Sequence, residues 1–169
     1  MNEHASDILQ HLQTSRFRDL TGTRIAATIP VSEALVNRTI SASLPPGAPV
    51  RSVAIHPEAG DRFSVRIVPK MALLPAMTLK LLIEEQPRLP DVPILVLRLV
   101  TLSGLFGLAS GAIAGMLPPG VRLDGERIVV DVRTLAAQQG HGRLLDFLTK
   151  LHVRTDDGRV VLHVDGEIR

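Results

Sequence analysis

The stretch from Leu99 to Val121 carries no charged residue, lies between Arg98 and Arg122, and is set among strand-like segments. Its sequence, LVTLSGLFGLASGAIAGMLPPGV, is too apolar all round for an ordinary surface helix. It must be covered by a sheet, a partner or an apolar ligand. A membrane span needs about 20 consecutive, predominantly apolar residues. Here Leu99 and Val100 have strand character and Pro118-Pro119 end the helix, so the remainder, Leu102 to Leu117, is too short to cross and a soluble fold is expected. At about 100° per residue, Gly104, Gly107, Gly111 and Gly115 fall on one stripe, opposite Leu102, Leu105, Phe106, Ala109, Ile113 and Met116. Each helical glycine costs ~1 kcal/mol relative to alanine. A glycine stripe therefore points to close approach by a sheet surface, another backbone or a ligand chain. Tight helix-on-sheet packing without any ligand explains it about as well.

The flanking segments are read from their periodicity. The N-terminal residues 1–20 place Ile8, Leu9, Leu12, Phe17 and Leu20 on an amphipathic helix. Thr23 to Pro30 alternates as a short strand, and Ser32 is a good N-cap for a helix with a Val36, Ile40, Leu44 stripe, ended by Pro45-Pro46-Gly47. Four strands are expected over Val50–His56, Arg62–Val68, Met77–Glu84 and Ile94–Thr101, with Gly60-Asp61 as a hairpin turn. In the last of them Leu95, Leu97 and Leu99 form one wholly apolar side, while Ile94, Val96 and Val100 share the other with Arg98. A strand apolar on both sides is central and covered on both faces. Two hairpins follow, Val121–Leu123 with Arg127–Val132 and Leu151–Thr155 with Arg159–Ile168, separated by helical turns over Thr134–Gln139 and Arg143–Lys150. With no Gly- or Ser-rich linker, residues 21–169 are expected to form a single domain. The expected fold class is α+β: a highly curved antiparallel sheet wrapped around a central apolar helix, with additional short helices.

Composition narrows the chemistry. The chain has 169 residues, 45% hydrophobic, but only four Phe and no Trp, Tyr or Cys. An aliphatic interior offers no stacking platform for bases or planar cofactors. The net charge is +2 and the arginines are dispersed along the chain, so nucleic acid is not an expected partner. Six histidines are present, but none stands in an HExxH or paired-ligand arrangement, although His152 and His163 are expected to approach across the last hairpin. Glu84 and Glu85 are adjacent in a strand, Asp156 and Asp157 suit a turn, and no Ser lies in a GxSxG elbow. No catalytic residue, metal site or cofactor is expected, and the chain reads as a non-enzyme.

Two segments carry a family resemblance: Ile29-Pro30-Val31-Ser32-Glu33-Ala34-Leu35-Val36-Asn37, and Leu123-Asp124-Gly125-Glu126-Arg127-Ile128-Val129-Val130-Asp131 after the apolar helix. Together with the order of elements, they resemble small bacterial members of the tubular lipid-binding superfamily, which includes the lipid-transfer and bactericidal permeability-increasing proteins. The resemblance implies a curved sheet wrapping a helix, with an aliphatic groove for acyl chains. Val36 and Ile40 would then lie against the sheet.

The resulting expectation is non-catalytic binding of a lipid or other hydrophobic ligand. Leu79, Leu81, Leu95, Leu97, Leu105, Phe106, Ile113 and Met116 would line or border the groove. A peripheral membrane surface and a homo-oligomer are the further partners. The rival reading is a structural or assembly protein whose same residues form core or a homodimer interface. The opening residues lack the basic-then-apolar pattern of a secretory leader, so a cytoplasmic location, peripheral at the inner membrane, is expected; a leader removed ahead of Met1 would make it periplasmic.

Overall fold

The structure is a computed structural model and describes residues 21–44, 46–71, 73, 75–100 and 117–168. In chain order it contains β1 (Arg24–Ser32), α1 (Glu33–Ser43), β2 (Val50–Glu58), β3 (Arg62–Pro69), β4 (Met77–Glu85), β5 (Ile94–Leu99), β6 (Val121–Asp124), β7 (Arg127–Asp131), α2 (Val132–Gln138), a 3-10 turn (Gly142–Asp146), β8 (Leu148–Asp156) and β9 (Arg159–Glu167). The fold is α+β, as its alternating segments predict. Its main body is a strongly curved half-barrel of six antiparallel strands in the order β2-β3-β4-β5-β7-β6.

The expected single long sheet is instead two. Strands β1, β9 and β8 form a separate three-stranded antiparallel sheet. The expected central apolar helix falls on residues 101–116, and the N-terminal amphipathic helix on residues 1–20; both lie outside the described residues. One helical expectation is corrected: Arg143–Lys150 is helical only as the short 3-10 turn, and Leu148–Lys150 already belong to β8. There Leu148 pairs with Gly166 and Lys150 with Asp165, with a register shift between them. Pairing with β9 overrides a local apolar cluster that suited a helix.

Curvature has a local cause. Register shifts interrupt β2 between Val50 and Ser52 and β4 between Ile83 and Glu85. Such irregularities bend a strand and increase its twist. Alternation then divides the sheet. Leu79 and Leu81 on β4 stand in register with Val65 and Phe63 on β3, and Leu81 and Ile83 with Leu99 and Leu97 on β5. These positions make one inner face and hold the core, where Leu81 is 3% and Leu99 4% exposed. On β5 the outward Val96 is buried as well as Leu97 and Leu99, but Arg98 on the outward side is exposed, so the expected cover on both faces holds only in part.

Two side-chain amides fasten the assembly at strand edges. From α1, Asn37 Nδ2 donates to the Ile55 carbonyl (2.9 Å) and its Oδ1 accepts from the Ile55 N–H (2.7 Å). Beyond β4, Gln86 Nε2 donates to the Val153 carbonyl (2.7 Å) and its Oε1 accepts from the Val153 N–H (2.9 Å). Each amide imitates a neighbouring strand for one residue, at the outer edge of β2 and of β8 respectively, and so satisfies backbone groups that would otherwise invite pairing. The two sheets also meet at their turns: the Gly158 N–H donates to the Pro57 carbonyl (3.1 Å), and Asp61 Oδ1 accepts from the Thr155 N–H (3.2 Å).

Candidate functional site

The inner face of the half-barrel is built from side chains that sequence alternation already places together. Of the expected lining residues, Leu79, Leu81 and Leu97 are buried and Leu95 is half-buried, all on this face. Leu95 and Leu97 stand opposite Val130 and Ile128 on β7, which in turn face Val121 and Leu123 on β6. In the other direction, Val65 and Ile67 on β3 face Ile55 and Val53 on β2. Among the described residues the lining is thus aliphatic across all six strands, with Phe63 its one aromatic. Leu44 at the end of α1 and Leu117 ahead of β6 pack against the same core. The remaining expected lining residues, Leu105, Phe106, Ile113 and Met116, lie outside the described residues.

Helix α1 starts as its sequence predicts, with Ser32 Oγ accepting from the Leu35 N–H at 3.3 Å. Val36 and Ile40 are half-buried, and no residue of α1 is fully buried, so the helix lies across a rim of the fold and contacts β2 and β1.

The outer face carries a shallow polar recess of about 420 Å³, lined by Glu84, Arg98, Asp124, Glu126 and Arg127. Arg127 forks onto Glu84, with Nε 2.8 Å from Oε2 and Nη2 3.4 Å from Oε1. Arg98 stands directly opposite Arg127 in the β5–β7 ladder. Three carboxylates meet two guanidiniums here, and the lining includes no Ser, Thr, Cys, Lys or His. Sequence reasoning did not anticipate this recess; its signal was the lone Arg98 on an otherwise apolar strand and the charged β6–β7 turn.

The histidines are distributed as alternation and turns dictate. His152 and His163 face each other across β8–β9 with ring centroids 6.2 Å apart, as expected. His163 Nδ1 lies 3.0 Å from Thr28 Oγ1, and His56 Nδ1 lies 2.7 Å from Glu33 Oε2. Among the described residues, no group of three or more His, Asp or Glu side chains is placed to hold a metal ion. Asp156 acts within its turn: Arg159 hydrogen-bonds its side chain and, with the Asp157 N–H, holds the carboxyl below its ordinary value.

Among the described residues, no helix is long and apolar enough to cross a membrane. Comparison of the chain with known protein families, curated proteins and solved structures gives no match.

Proposed function

We propose that this protein is a non-catalytic binder of a lipid or another long aliphatic molecule, held against the inner face of the half-barrel. The observation that carries the reading is the aliphatic lining that runs unbroken from β2 to β6. Each CH2 moved from water into such surroundings contributes about 0.8 kcal/mol. An acyl chain can therefore be retained without any directed polar contact. The family resemblance of the Ile29–Asn37 and Leu123–Asp131 segments points the same way.

Uptake of a fluorescent fatty acid tests this directly, and a chain without Trp or Tyr adds little background. Saturable uptake is expected, weakened in Leu95→Gln, which places an amide on the half-buried part of the lining. Absence of uptake by folded protein would reject the reading.

One observation favours the assembly alternative. β1 is an edge strand on which Ile25 and Ile29 are 50% and 44% exposed. An edge of this kind can pair with a second copy. A dimer that Ile29→Lys dissociates, in protein that takes up no fatty acid, would favour assembly over cargo.

A further inference from the structure

The arginines and lysines that look dispersed in sequence are not dispersed in space. The segments Ala34–Pro57 and Arg62–Ile83 contain no Asp or Glu. Strands β2, β3 and β4 therefore bring only cations to the end of the sheet where β3 turns into β4. Arg66 stands opposite Thr78 and Lys80 opposite Ser64, placing both on the outer face near that end. Arg51 sits at the irregularity in β2, and Lys70 begins the connection. All four are exposed, and none is in an ion pair among the described residues. Lys70 Nζ donates to the Pro46 carbonyl at 3.0 Å.

The carboxylates of these strands, Glu58, Asp61, Glu84 and Glu85, lie at the opposite end. Along β4, at the usual rise per residue, Glu84 and Glu85 are roughly 25 Å from Met77, and Glu84 is about 13 Å from Lys80. At physiological salt these carboxylates are about three Debye lengths from Met77 and the connection beyond it, and under about two from Lys80. Asp124 and Glu126 of the β6–β7 turn lie at the same end as the connection, two strands across from β4.

The same connection exposes hydrocarbon. Leu73 is 90% and Met71 60% exposed, the two highest values among the large exposed hydrophobics described. A leucine so exposed in a cationic connection is poorly explained by folding, since little of it is taken out of water.

We propose that the β3–β4 end of the half-barrel docks on an anionic lipid surface. Leu73 and Met71 enter the headgroup–acyl boundary while Lys70, Arg66, Lys80 and Arg51 meet the phosphates. Amphipathic elements that lie in this boundary bury their apolar side about 5–10 Å deep, a depth that suits a hairpin tip. The choice of lipid over another polyanion rests on the acyl-binding reading above and on the exposed aliphatic tip, which a nucleic acid would leave solvated. The docking end also carries the inner-face residues Val50, Ile67 and Met77, so the aliphatic lining begins where the surface meets the bilayer.

Co-sedimentation of the full chain with vesicles tests the inference. Equimolar phosphatidylglycerol and phosphatidylcholine vesicles are expected to pellet the protein, and pure phosphatidylcholine vesicles to pellet much less. Leu73→Asp should weaken binding at least about tenfold, the equivalent of losing one buried leucine. Lys70→Gln and Lys80→Gln should each weaken it about fivefold. All three variants should retain fatty-acid uptake and the wild-type circular dichroism spectrum.

Failure to pellet with the anionic vesicles, or equal pelleting of wild type and Leu73→Asp, would overturn the inference. So would binding to a DNA oligonucleotide that exceeds vesicle binding and is unchanged by Leu73→Asp, or a vesicle-free dimer that this substitution abolishes. Uptake without vesicle binding removes the docking surface alone, whereas vesicle binding without uptake removes the cargo alone.

Discussion

At the scale of single residues, a few polar side chains decide whether apolar strands remain in one molecule. Asn37 and Gln86 each close a backbone donor–acceptor pair on a strand edge, and both bonds of each are part-buried. Truncation leaves a partly desolvated N–H and C=O unmatched, at a cost of about 1–3 kcal/mol. Asn37→Ala and Gln86→Ala should therefore lower the urea midpoint with the slope unchanged. Their edges should also become prone to intermolecular pairing, read as light scattering near the transition.

Asp131 has a comparable local role as the N-cap of α2, accepting from the Arg133 and Thr134 N–H groups at 3.0 and 3.1 Å and from the Thr134 hydroxyl at 2.8 Å. Desolvation pushes its carboxyl up, but the Thr134 bonds and Arg133 together outweigh this and hold it below its ordinary value. The stability it contributes is fully present above the ordinary Asp value and is lost as pH falls through the lowered one. Asp131→Asn should keep the cap near neutral pH and flatten that acid limb. Asp131→Ala should cost about 1 kcal/mol at neutral pH. Stability measured by urea unfolding across the acid range separates the two.

At the scale of elements, turns and strands were legible in the sequence for definite reasons. Asp61 (φ 60°) and Gly60 (φ 80°) form the expected β2–β3 turn, because left-handed backbone is cheap for glycine and tolerable for aspartate. Gly120 (φ 87°) shows a stricter need: an added Cβ would lie 2.9 Å from Thr134 Cβ and Cγ2, whereas at Gly125 (φ 58°) it would meet nothing. Gly125→Ala should cost about 1 kcal/mol from backbone strain alone. Gly120→Ala should cost clearly more, because the start of α2 must also shift; paired thermal melts give the comparison.

The alternation of Met77, Leu79, Leu81 and Ile83 identified an inner face, and the burial of Leu79 and Leu81 there agrees. Leu81→Ala should destabilise by about 2–5 kcal/mol, the usual range for a core leucine. What could not be read was anything set by register between distant segments. Leu148–Lys150 looked helical because Leu144, Leu145, Phe147 and Leu148 recur at helical spacing, but pairing with β9 decides their state. Gln86 gave no local sign of meeting Val153, and Arg66 and Lys80 become neighbours only through the β3–β4 ladder.

At the scale of the whole molecule, a curved sheet with an aliphatic inside and a charge-divided outside accounts for the composition. Scarce aromatics and plentiful leucine and valine give a smooth lining, and the lack of carboxylates in residues 62–83 gives the β3–β4 connection a basic surround and an apolar tip. The division into two sheets was hidden in the sequence because β1 and β9 are separated by most of the chain before they pair.

The central claim is that the inner face carries an aliphatic cargo. Native mass spectrometry of the intact chain, purified without detergent and then incubated with a long-chain fatty acid, addresses it most directly. A stoichiometric adduct on wild type, reduced in Leu95→Gln, is the expected spectrum. A folded chain that remains at its apo mass across all fatty-acid concentrations would contradict it.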